Sequence, residues 1–261
     1  MGTAAHAEKP RQDQRIENTA YTLPGGGFSA GIMTLEAGIF DEITIGTYLP
    51  AWLAFSVIDV PILSGFIKLR APWEGPLALS VRVGAAYLDA SGIAGDLSSG
   101  RAARADVLAV PFALAVSYAV SETVTQSLEV SYVAMKVGAS EHNAATGGGS
   151  ATSSNVSLSS LLEVRLTPTL GVTLAARVLA FQSAAVISAH LERGPTRLKA
   201  NLGFQPYEQS LLWSVVPGVA LSWAHVHLEF GIGYGAYWLP MIQSPLPGSS
   251  PIPEGNLYVR F

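Results

Sequence analysis

A chain of 261 residues with a formal net charge of -4 and only 13% charged residues offers no basic surface for nucleic acid. It has no cysteine, which excludes disulfide scaffolds and thiolate metal sites. Mean hydropathy is +0.35, yet no apolar run of about 18 residues escapes a charge or a proline, so a membrane-spanning helix is excluded and the apolar residues must be dispersed over another architecture.

Residues 1–16 hold no apolar stretch, and Ala5-His6-Ala7 has the small-x-small form of a leader-peptidase site. This segment is expected to be a leader remnant or an appended sequence, with residues 17–261 forming one barrel domain. ENTAYTL (17–23), followed by the PGGG turn, is expected to be a first strand. Strands are next expected at 28–37 and 42–48. The stretch 49–57 (LPAWLAFSV) is apolar without alternation and is expected at the rim as a loop or short helix. Further strands are expected at 58–71, 74–89, 104–119, 122–139, 154–167, 170–186, 207–221, 224–240 and 254–261, which makes about twelve. Ten remain if the N-terminal hairpin packs elsewhere. Connections alternate in length. Short ones fall near 38–41, 71–75, 119–122, 167–170 and 222–225, and long ones near 89–103, 140–153, 187–206 and 241–253.

Nearly every segment alternates with period two. Leu108, Val110, Phe112, Leu114, Val116 and Tyr118 share one face, with Ala109, Pro111, Ala113, Ala115 and Ser117 opposite. Leu128, Val130 and Tyr132 oppose Ser127, Glu129 and Ser131. The expected strands run to 11–16 residues, where a soluble strand averages about 5–6. Large apolar residues on one face, with small and charged ones opposite, are inside-out for a packed core. The pattern suits a wall with lipid outside and water inside, a closed antiparallel up-and-down transmembrane β-barrel. Aromatics near strand ends extend the pattern: Tyr87, Trp213 and Trp238 toward the long loops, Tyr118, Trp223 and Phe261 toward the short turns.

By phase, Lys68, Arg70, Arg82, Arg165, Arg177 and Arg260 point into the lumen, as do Glu42, Glu129, Glu163 and Glu229. Such charges either line a water-filled pore and set its selectivity, or pair across the interior and plug it. Twelve strands enclose more than the eight-strand interior that side chains fill. His225 and His227, with Glu229 two positions on, are weak candidates for a metal face and read more simply as polar residues at a wet rim. No cofactor is expected. GIGYG (231–235) and GGGS (147–150) lack the order of a phosphate loop. In 231–235 the inward glycines are expected to clear space in the lumen.

The final strand carries a further signal. Leu257, Val259 and Phe261 lie on one face of NLYVRF, and Asn256, Tyr258 and Arg260 on the other. This resembles the C-terminal insertion signal of Gram-negative outer-membrane β-barrel proteins, with Gly255 one position from where that family's glycine often falls. Residues 17–60 also look like the N-terminal section of small delta-proteobacterial barrels. The resemblance implies residence in the bacterial outer membrane among its lipids, and handling by the barrel-assembly machinery. It carries no activity. The outer-membrane phospholipase family uses a His and a Ser two apart on a strand, and no His-x-Ser occurs here. The expectation is therefore a non-enzymatic barrel forming a narrow, mixed-charge passive channel for small solutes. A closed structural or adhesive barrel acting through its outer loops is the alternative, and a lipid-modifying enzyme a more distant one.

Overall fold

The structure, a computed structural model, describes residues 18–48, 62–72, 75–89, 103–141, 148–186, 208–239, 244–246 and 251–261. Fourteen strands occur among them: β1 (Phe28–Gly31), β2 (Thr34–Phe40), β3 (Ile43–Tyr48), β4 (Ile62–Arg70), β5 (Leu77–Asp89), β6 (Ala103–Ala119), β7 (Val124–Glu141), β8 (Gly148–Arg165), β9 (Leu170–Val186), β10 (Glu208–Trp223), β11 (Val226–Gly235), β12 (Tyr237–Leu239), β13 (Ser244–Leu246) and β14 (Ile252–Arg260). Twelve of them close into one antiparallel barrel, each paired with its sequence neighbours and β14 bridging β11 and β1. β12 and β13 make a separate two-stranded sheet on the long-loop side. The chain is thus a closed, twelve-strand, all-antiparallel up-and-down barrel. In such a cylinder every central backbone group finds a partner in the wall, the condition for crossing hydrocarbon with strands.

The number twelve is reached differently from the sequence expectation. Of the strand expected at 17–23, the described residues are not a strand: Asn18–Leu23 lies outside every ladder, and Thr19, Ala20, Tyr21, Thr22 and Leu23 are all buried. The expected single strand 28–37 is instead two, β1 and β2, folded back at Ile32–Met33. Glu42 sits in the two-residue turn between β2 and β3, not on a strand facing the lumen. β7 and β8 run to Glu141 and start at Gly148, so the expected 140–153 loop is largely ladder. Pairing is a backbone property, and GGGSATSSN extends a hairpin without needing apolar side chains. The segment expected at 224–240 ends as a barrel strand at Gly235, whose φ of 108° turns the chain into β12. The stretch 49–57 lies outside the described residues.

The inside-out phase holds. Leu108, Val110, Phe112, Leu114, Leu128, Val130, Tyr132, Leu158, Leu174, Leu228, Phe230 and Ile232 are all exposed, while Ala109, Ala113, Ala115, Ser117, Ser127, Glu129, Asn155 and Glu229 are buried. Outward aromatics mark two levels. Tyr118, Trp223, Phe40 and Phe261 lie near the short turns, and Tyr87, Trp213 and Tyr234 near the long loops. On β10 the two tryptophans stand ten positions apart. At about 3.3 Å per residue and a tilt of about 40°, that is a height of about 25 Å, the thickness of the apolar band of such barrels.

Candidate functional site

The lumen is shaped first by the strap Asn18–Leu23. The Pro24–Gly27 turn, with Gly26 at φ 79° and Gly27 N–H donating to Pro24 O, folds the chain from the seam back inside the barrel. Gly38 is needed there, because a Cβ at that position would collide with Pro24 O. Four polar contacts hold the strap to the inner wall. Lys68 Nζ donates to Thr19 O (2.7 Å), Ala20 N–H to Ser117 Oγ (2.8 Å), Leu23 N–H to Thr44 Oγ1 (2.8 Å) and Thr22 Oγ1 to Asp41 O (2.6 Å). Ala20 and Tyr21 pack on Ala78 and Ala115. The wall offers small residues and hydroxyls here because the strap occupies the space that larger side chains would fill. It covers the short-turn end beside β3 to β6.

Above the strap lies a cavity of about 270 Å³, lined from β5 round to β14. Two ion pairs line its wall, one spanning β6 and the other β10 and β11. Arg82 Nη2 meets Glu129 Oε1 at 3.1 Å, and Arg177 Nη1 spans both oxygens of Glu254 at 3.0 and 2.9 Å. The side chains of both pairs are 8–21% exposed, so they remain wetted but weakly screened. Arg82 also stands 6.0 Å over the Phe66 ring, which packs against Tyr48 with ring centres 5.2 Å apart. Gly46 gives that ring room, since a Cβ there would lie 2.5 Å from Phe66 Cζ.

Of the charges expected in the lumen, Lys68 is buried as the strap's anchor. Arg82, Glu129 and Arg177 face the cavity in ion pairs. Glu229 accepts from Tyr258 OH at 3.2 Å, and buried Arg260 stacks over the same ring at 4.5 Å. Arg70, Glu163 and Arg165 stand half-buried at the short-turn ends of β4 and β8. Leu257 and Phe261 face outward from the last strand with Val259 in phase, and Tyr258 and Arg260 face inward. Phe261 N–H and C=O both bond to Phe28, which closes the seam.

His225 and His227 do not share a face. His225 lies exposed in the two-residue turn, bonded through Nδ1 to Arg260 O and stacked on Phe261. His227 is buried in β11, with Nδ1 at 3.1 Å from Ser222 Oγ and its ring stacked on Tyr258. Among the described residues no group of three His, Asp or Glu could hold a metal ion. Gly231 and Gly233 do turn inward, but the room they leave is taken: a Cβ at Gly231 would lie 2.8 Å from Val216 Cγ1.

Sequence reasoning missed three features: Glu254 as the partner of Arg177, the buried Glu36 on β2, and the strap. Glu254 is the first residue of the expected strand 254–261 and shares the parity of Asn256, Tyr258 and Arg260, but the lumen-facing set left it out. Glu36 became visible only when 28–37 was divided. The strap had no signal, because Thr-Ala-Tyr-Thr-Leu alternates as a strand does.

No protein-family model matches the chain, and no curated protein sequence does. Solved structures of similar shape are outer-membrane proteins. The translocator domain of autotransporter NalP from Neisseria meningitidis is 13% identical, with 90% of this chain and 83% of that chain covered and a TM-score of 0.49. OmpT, an outer membrane protein of Vibrio cholerae, is 12% identical over 87% and 62% at a TM-score of 0.41. The Pseudomonas putida toluene transporter TodX is 9% identical over 90% and 76% at 0.38. At these identities the likeness concerns the barrel and not its activity.

Proposed function

We propose that the protein is an integral barrel of the bacterial outer membrane that passes small polar solutes along a narrow lumen of mixed charge. The observation that carries this reading is the cavity lined by the Arg82–Glu129 and Arg177–Glu254 pairs, which set charges of both signs along its wall beside water-sized space. Cations and anions both find partners there, so discrimination is by size more than by sign. The strap makes the short-turn end the restriction. The Leu257, Val259 and Phe261 face is proposed as the signal read by the barrel-assembly machinery during insertion.

Recording in a planar lipid bilayer tests the reading. Small, steady single-channel steps are expected, enlarged when residues 18–23 are deleted. Silence from folded protein in both forms refutes it. One observation favours the closed alternative: the strap and the ion pairs occupy much of the interior. In that case the deletion leaves the bilayer silent as well.

A further inference from the structure

The strap encloses polar groups that it does not use. Ser80 Oγ and Arg70 Nε are buried and have no hydrogen-bond partner among the described residues. They belong to one place. Arg70 on β4 and Ser80 on β5 stand directly opposite in the ladder, on the inward face near the short-turn end. Side chains so opposed leave the wall about 4.5–5.5 Å apart, so both donors reach the same small volume. Ser80 is 2% exposed. The Arg70 guanidinium makes no ion pair among the described residues. Glu42, whose carbonyl accepts from Arg70 N–H, makes none there either.

Buried donors ordinarily have partners, and packing against the strap does not call for these two. Ala78, next to Ser80 on its face of β5, and Ala115, opposite Ser80 on β6, meet Ala20 and Tyr21 with plain methyl groups. An alanine at position 80 would serve that contact better, since an orphaned hydroxyl lowers stability. The strap's fixing points surround the pair: Thr44 on β3, Lys68 on β4 and Ser117 on β6. Lys68 lies two positions from Arg70 on the same face and diagonal to Ser80, at about 7–8 Å. Its ammonium already donates to an oxygen, that of Thr19. Two cations and a hydroxyl thus converge from adjacent strands. A tetrahedral phosphate offers a separate oxygen to each of them, where a planar carboxylate has two.

We infer that Arg70, Ser80 and Lys68 form a phosphate-binding site on the inner wall, closed by the strap, and that phosphate competes with the strap for it. Thr19 O stands where a phosphate oxygen accepts from Lys68. The ligand replaces that bond and adds the two that the strap leaves unmade. Phosphate in the lumen therefore favours the undocked strap and the wider passage. This last consequence rests on the membrane-channel reading, to which the site adds a ligand class and a regulator.

Calorimetry with inorganic phosphate tests the site on the full chain in detergent micelles at fixed ionic strength. Wild type should bind phosphate, and acetate at least tenfold more weakly. Arg70→Gln should weaken phosphate binding at least tenfold. Ser80→Ala should weaken it several-fold while thermal stability stays equal or rises, because an orphaned hydroxyl is removed. This second variant decides the matter if Arg70→Gln does not fold. Thr44→Val loosens the strap from outside the site and should tighten phosphate several-fold. No phosphate binding by wild type and Thr44→Val overturns the site, as does an affinity unchanged by Ser80→Ala. Equal affinity for acetate overturns the phosphate class, and an affinity unchanged by Thr44→Val overturns the competition. In bilayer recordings, phosphate replacing chloride at equal ionic strength should raise the share of time at the larger conductance several-fold, with the response lost in Ser80→Ala. Steady steps that ignore phosphate overturn its role as regulator. Silence in the bilayer with calorimetric binding intact overturns the channel reading and leaves the site standing.

Discussion

Lys68→Met is the sharpest perturbation of the strap. Lys68 is 4% exposed and its ammonium donates to Thr19 O at 2.7 Å. A hydrogen bond to a charged group contributes about 1.5–3 kcal/mol, against about 0.5–1.5 for the neutral bonds at Ser117 and Thr44. Methionine keeps the length and the packing of the stem while removing the charge, and with it the cost of burying that charge. The wall should stay folded, as read by heat-modifiable gel migration. The docking equilibrium of the strap should shift by about ten- to a hundredfold toward the undocked form, at about 1.4 kcal/mol per decade. In bilayer recordings this appears as a matching rise in the ratio of time spent at the larger conductance to time at the smaller. Thr44→Val, which breaks one neutral bond, should give less than about tenfold. If Lys68→Met behaves as wild type, or moves the ratio less than Thr44→Val, the strap is not the restriction.

The other expectations concern the wall and its ends. Glu254→Gln removes one lumen charge and half of the Arg177 pair, so the reversal potential in a salt gradient should move toward anion selectivity, and Arg82→Met should move it toward cations. Leu114→Arg on the lipid face, four positions from Tyr118 and so near the bilayer midplane, should cost about 2–4 kcal/mol, measured by denaturant titration in vesicles. An equal stability for Leu114→Arg and wild type would place that face in water. Deleting Phe261 removes two seam hydrogen bonds and the stack on His225. Insertion into vesicles containing the purified assembly machinery should slow several-fold, and an unchanged rate would remove the signal reading.

What the amino-acid order determined alone was the wall. Period-two alternation places every second side chain on the same face, so the exposure of Phe112 and Leu128 and the burial of Ala113 and Glu129 were legible from phase. The strand count was not, since the alternating connections mark eleven strands from residue 28 on and the twelfth was expected at 17–23, whereas the barrel gains it by dividing 28–37 into β1 and β2. Lumen-facing charges followed from the same parity, with Arg82, Glu129 and Arg177 correctly inside. Their partners did not follow, since the Arg177–Glu254 pair joins residues 77 positions apart that meet over β10 and β11, through the register and curvature of the wall. Tertiary structure alone decided the fate of residues 18–23. Thr-Ala-Tyr-Thr-Leu has a strand's alternation, but β14 offers one edge, and β1 takes it through the paired hydrogen bonds of Phe28 and Phe261. With the seam closed, the preceding residues turn into the lumen. There the hydroxyls of Ser117 and Thr44 and the ammonium of Lys68 satisfy the backbone groups that no neighbouring strand could reach.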